Sequence, residues 1–189
     1  MHDPSLLDVM MTYGIDPRAR RVYLHHEMEQ DEEPGKNAVE HVVRGLQYLD
    51  KSDGHIELWI NTPGGLVSEM FGIYDVIRSL SHEIWTVGFG EIASAGGLVL
   101  VAGDKRFATP TARFMAHADQ IQLSCDYFVA QATMRVHERE MKLWLRLMGE
   151  RTKRSAAWWL EQIKSRREVH LSAAEMKRIG VVHEIWPTD

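Results

Sequence analysis

The chain has 189 residues, 44% apolar and 26% charged, a balance close to the globular average that argues against disordered or fibrous sequence. Its 22 Lys and Arg against 27 Asp and Glu give a formal charge of −5, which excludes the strongly basic face that wholesale nucleic-acid binding demands. A single cysteine, Cys125, excludes an internal disulfide framework and fits a reducing cytoplasm. Met1-His2-Asp3-Pro4 lacks a basic n-region, and the longest apolar run, Leu98 to Ala102, is too short to span a bilayer. A cytoplasmic protein with no membrane partner is expected.

In chain order, residues 1–19 lack periodicity and carry Pro4, Gly14 and Pro17, so they are read as a flexible N-terminal arm. Residues 20–189 are read as a single domain. Arg21 to His25 has strand character, and an acidic loop follows to Pro34-Gly35. Val39, Val42, Val43, Leu46 and Leu49 form a helical stripe. His55 to Asn61 alternates as a strand with Ile56, Leu58 and Ile60 on one face, until Thr62-Pro63-Gly64-Gly65 breaks it. Leu66 to Leu80 is apolar at helical spacing, and Ile84 to Phe89 is a third strand. Gly90 to Ser94 is expected to turn, and Ala95 to Ala102 to form a small, buried helix. Arg106 to Thr109 and Arg113 to His117 are two short strands.

Asp126 to Met148 is a long helix, roughly 35 Å at 1.5 Å per residue. Tyr127, Met134, Met141 and Met148 form one row, and Ala130, His137 and Trp144 its neighbour. So long a helix either projects to meet another subunit or serves as an ordinary core helix. Ser155 to Ser165 is a further helix with Trp158, Leu160 and Ile163 as buried candidates. Ser172-Ala173-Ala174-Glu175 has capping-box spacing and opens a short helix ending at Gly180, with Val181 to Trp186 as the last strand. Strands alternating with helices indicate an α/β fold.

Two glycine-bearing turns follow strands and open helices. At Asn61-Thr62-Pro63-Gly64-Gly65 the paired glycines let backbone N–H groups approach an oxyanion or an extended peptide, which makes Gly64, Gly65 and Leu66 candidate substrate-binding residues. In Gly90-Glu91-Ile92-Ala93-Ser94-Ala95-Gly96-Gly97, Ser94 stands where a helix begins, among small neighbours that would admit a substrate carbonyl. The competing role for Ser94 is an ordinary helix N-cap. A nucleophilic serine needs a base, and His117 ends a predicted strand, where site residues collect in α/β folds. The base needs an orienting carboxylate. Glu168 is one candidate, its alternative role being an ion pair with Arg166 or Arg167, and Asp119 is a rival. His25-His26 beside Glu27 is not read as a metal site, because adjacent strand residues point to opposite faces. The six Lys and Arg between Arg151 and Arg167 read as a solvated helix face, and Cys125 as structural.

These four stretches (Asn61 to Gly65, Gly90 to Gly97, Arg113 to His117 and Leu171 to Glu175) resemble, in order and spacing, the Clp protease proteolytic subunit family. The resemblance covers roughly residues 20 to 185. It implies a crotonase-like α/β fold of repeated β-β-α units with residues 126–148 as a projecting handle helix. It also implies a serine endopeptidase acting on unfolded proteins or peptides inside an oligomeric chamber. Ser94 matches the nucleophile, His117 the base, Glu168 the third triad member, and Gly65 and Ala95 the two oxyanion-hole amides. No metal or cofactor is implied. The implied partners are copies of the chain, as heptameric rings stacked into a tetradecamer, and an ATP-dependent AAA+ unfoldase. Glu168 stands where the family usually has aspartate, and Ala118-Asp119-Gln120-Ile121-Gln122 replaces a glycine-rich stretch. Two other classes share these motifs: a catalytically silent ring subunit or scaffold, and a crotonase-like acyl-CoA enzyme.

Overall fold

Alternation within a single strand divides the molecule. In β3 (Ile56–Thr62), Ile56, Leu58 and Ile60 are fully buried, while Trp59 and Asn61 on the opposite face are only half-buried. A pleated strand sends neighbours to opposite faces, so the first set can close a core against helices. The computed structural model describes residues 12–28, 38–118 and 124–187. The described residues form six helices and an eight-stranded mixed sheet.

The sheet runs β1 (Ile15–Asp16), β2 (Arg21–Leu24), β3, β4 (Ile84–Ala93), β5 (Lys105–Ala108) and β8 (Glu184–Ile185), parallel from β2 onward. Parallel steps require crossovers, and α1 (Ala38–Leu49), α2 (Val67–Ser79) and α3 (Ala95–Ala102) supply those from β2 to β3, β3 to β4 and β4 to β5. All eight residues of α3 are buried, as their small apolar character predicts. The opposite sheet face is aromatic. Arg21 lies 4.7 Å from the Trp59 ring centre and Lys105 lies 4.6 Å from that of Trp85. Phe107 and Trp186 meet edge to face beside them.

β4 changes partners part-way. Its first half pairs with β3 and β5, and Glu91 to Ala93 then pair with β6 (Arg113–His117). The register against β3 slips between Ile60 and Thr62, and Asn61 Oδ1 fills the gap by accepting the Glu91 N–H at 3.0 Å. The turn expected over Gly90 to Ser94 is therefore strand through Ala93. The sideways transfer to β6 satisfies the backbone that a turn would have left open.

α4 (Tyr127–Arg151) starts from the Asp126 cap and runs three residues past the expected end. Its C-terminal end is tied in: Arg151 donates to the carbonyls of Val101 and Gly103, and buried Arg106 donates to those of Arg151 and Gly180. Burial, with the charge of Arg151, pushes the Arg106 guanidinium down to about 10. The other end of α4 exposes Tyr127, Phe128, Val129, Met134 and Val136.

α5 (Ala156–Arg166) buries Trp159 completely and Ile163 as expected, whereas Trp158 and Leu160, the other expected positions, are only partly covered. β7 (Glu168–Ser172) was not anticipated, and it pairs antiparallel with β6. α6 (Ala173–Ile179) carries the expected capping box and left-handed Gly180. The last strand shrinks to Glu184–Ile185, because Val181 and Val182 spend their amides on the Met176 carbonyl and bury their side chains. The described part of the N-terminal arm is tied down, with Ile15 paired to Val22, and residues 1–11 lie outside the described residues.

Candidate active site

The two glycine-bearing turns meet. Met28 bridges to Gly65, its N–H donating to the Gly64 carbonyl and its carbonyl accepting from Leu66 N–H, both at 2.7 Å. That holds Gly64 and Gly65 at φ values of 115° and 138°, open to glycine and strained for other residues. A Cβ at Gly64 would lie 2.7 Å from the Ser94 Cβ and 3.3 Å from Ala95 N, so only bare backbone allows this approach. The hydroxyl of Thr62 accepts from Gly64 N–H and donates to the His26 carbonyl.

Ser94 occupies the N-cap position of α3 but caps nothing. Its side chain makes no cap hydrogen bond, and its backbone is at φ 52°, ψ −119°. Asp126, Ser155 and Ser172, at the corresponding positions of α4, α5 and α6, each accept from helical amides. A non-glycine residue forced into this conformation carries strain of order 1–3 kcal/mol. Ser94 N–H donates to the Met115 carbonyl at 2.7 Å, which ties the turn to β6. Ala95, as the first helical residue, has an amide with no intrahelical acceptor.

Ser94, Ala95, Gly65 and His117 line one cleft with Val67, Met70, Glu140, Met141 and Trp144. Among the described residues no hydrogen bond joins the Ser94 hydroxyl to the His117 ring. Gly64 and Leu66 are not among the residues that line the cleft: Gly64 is buried, and Leu66 is 44% exposed at the N-cap of α2.

Glu168 lies directly across the β6–β7 ladder from His117, on the same face. Opposed antiparallel residues hold their Cβ atoms about 4.5–5.5 Å apart. Its carboxylate nevertheless engages His170, with Nε2 2.9 Å from Oε2, rather than Arg166 or Arg167. Asp119, the rival acid, lies outside the described residues, as do most of residues 118–122. His25 stacks on Phe89 and bonds Asn61. Among the described residues no group of three or more His, Cys, Asp and Glu could hold a metal ion. Sequence reasoning did not reach Val67, Met70, Glu140, Met141 and Trp144 as cleft residues. The spacing of 140, 141 and 144 on one helical face was the only available signal.

A parallel α/β sheet whose strand-end cleft gathers an uncapped serine, an imidazole and bare backbone amides has the chemistry of acyl transfer. The family model described as Clp protease matches residues 17–189, and the chain belongs to this family of peptidases. An ATP-dependent Clp protease proteolytic subunit of Cyanophora paradoxa is 32% identical over 151 residues, covering 77% of this chain and 76% of that protein. The protein is thus a hydrolase of the serine endopeptidase type, and proteins of this family form oligomeric proteolytic chambers. Among the described residues no helix is long and apolar enough to cross a membrane.

Proposed function

We propose that Ser94 is the nucleophile, His117 its general base and Glu168 the orienting acid. His117 takes the Ser94 proton as the hydroxyl attacks a peptide carbonyl. The N–H groups of Gly65 and Ala95 hold the tetrahedral oxyanion, and the α3 dipole favours the developing charge. His117 then protonates the leaving amine, and water releases the acyl-enzyme. Of the segment Gly64 to Leu66, Gly65 meets the substrate backbone, because the backbone groups of Gly64 and Leu66 are spent on Thr62, Met28 and Met70. The observation that carries this reading is the strained, uncapped Ser94 in a cleft with His117. Fluorophosphonate labelling of the intact protein tests it: modification at Ser94, lost in Ser94→Ala, is expected. Labelling that survives the substitution rules the assignment out.

The Glu168–His170 contact favours a second reading, a ring subunit whose triad is silent. Hydrolysis of casein and short fluorogenic peptides separates the two, since a silent subunit turns over neither in any assembly state. For assembly, the reading is one domain over residues 20–189, joined as stacked heptameric rings in the cytoplasm and served by an AAA+ unfoldase. Exposed apolar side chains on the N-terminal half of α4 and the aromatic sheet face support large contact surfaces. Native mass spectrometry tests the ring number, and stimulation of protein degradation by ATP and unfoldase tests the partner.

A further inference from the structure

The lining of the cleft is chemically uneven. Val67 and Met70 enter from the start of α2, and Met141 and Trp144 from α4, so the wall beyond Ser94 is largely apolar. Glu140 is the single carboxylate among the lining residues. It shares a helical face with Trp144 one turn later, and its side chain is 31% exposed. Its ion-pair contact among the described residues is His137 Nδ1 at 3.6 Å, too long for a hydrogen bond.

We propose that Glu140 makes this cleft selective for a lysine or arginine side chain on the residue whose carbonyl is attacked, an inference that rests on the Ser94 reading above. A basic side chain matches both parts of the lining. Its methylene stem lies along Met70, Met141 and Trp144 while its cation reaches the carboxylate. A leucine fills the apolar wall but brings no partner to Glu140. A glutamate brings a like charge into a partly desolvated site, which is repelled.

The test uses the assembled protein and peptide aminocoumarins that differ only at the residue before the scissile bond: lysine, arginine, leucine or glutamate. The basic substrates are expected to exceed leucine in kcat/KM by about tenfold or more, the scale of one charge-assisted hydrogen bond. Glu140→Gln is expected to bring kcat/KM for the lysine and arginine substrates down toward that for leucine, so that their ratio falls to near one. Glu140→Lys is expected to turn the preference toward glutamate. An apolar preference indifferent to both variants overturns the proposal. The same peptides, fluorescently tagged and bound to Ser94→Ala, read the cleft without turnover. Tighter binding of the basic peptides supports the inference even if the wild-type protein cleaves nothing, in which case the silence counts against the catalytic reading alone. Equal binding of basic and leucine peptides overturns it.

Discussion

β4, which delivers the serine, ends inside the molecule, whereas β7, which delivers the acid, runs along its surface. Ile92 and Ala93 are buried, α3 beyond them is buried throughout, and the Ser94 backbone is fixed by β6. On β7 only Val169 and Leu171 point inward. The outward Glu168 and His170 side chains are 57% and 68% exposed and engage each other. Packing thus sets the proposed nucleophile and oxyanion amides in place before any substrate arrives, while the proposed acid depends on a side-chain rotation to reach His117. The difference teaches which part of the proposed machinery is preorganised and which is adjustable.

The largest expected effect lies on the buried side. Ser94→Ala should lower kcat by about 10⁶ with secondary structure and assembly unchanged; near-normal turnover would place the nucleophile elsewhere. On the surface side, Glu168→Gln should lower kcat by about 10⁴ if the carboxylate turns to His117 during catalysis. A loss below tenfold in peptide hydrolysis would mean that it stays with His170. Gly65→Ala puts a Cβ 2.2 Å from the Met28 carbonyl oxygen, so the turn must move. Loss of one oxyanion donor should then lower kcat by about 10²–10³, with KM much less affected.

The start of β4 offers a stability test of the same contrast. Asp104 accepts from the Ile84 N–H at 3.0 Å and pairs with Arg78 at 2.6 Å. Burial pushes its carboxyl up, but the Ile84 amide and Arg78 outweigh this and hold it below its usual value of 3.8. A depressed carboxylate stabilises the fold above that usual value and loses its contribution as pH falls through the lower, folded one. Asp104→Asn should therefore cost about 1 kcal/mol at neutral pH, given partial solvent screening. In thermal melts the gap from wild type should close below pH 3.8. The smallest effect is expected from His170→Ala, which releases Glu168. A modest rise in kcat at constant KM would show that His170 competes for the acid, and an unchanged kcat would show that it does not.

Most of the fold was legible because its signals are local. The β3 alternation, the small apolar α3, the Ser172 capping box and the Gly180 helix end each report a backbone preference settled within a few residues. β7 was not, since Glu168 to Ser172 is short, carries charged and polar residues outward and becomes a strand only by pairing with β6. The end of β4 was misjudged for a related reason. Gly90 suggests a turn, but Asn61 and β6 supply the hydrogen bonds that keep the strand going. Of the candidate site, Gly65, Ser94 and His117 were found from turn and strand-end chemistry and Ala95 from the family resemblance, and all four line one cleft. Val67, Met70, Glu140, Met141 and Trp144 were not found as part of it, because nothing in a helical row says which turn will face a serine far away in the sequence.

The sequence by itself determined most element types, the Thr62 to Gly65 turn and the family, because backbone preference and hydrophobic period act over short distances. Only the tertiary structure decided that Ser94 leaves its hydroxyl uncapped, that Glu168 faces His117 across a ladder yet bonds His170, and that Glu140 enters the cleft. Each of those depends on which distant backbones come within hydrogen-bonding or van der Waals reach, and that is settled by burying the core as a whole.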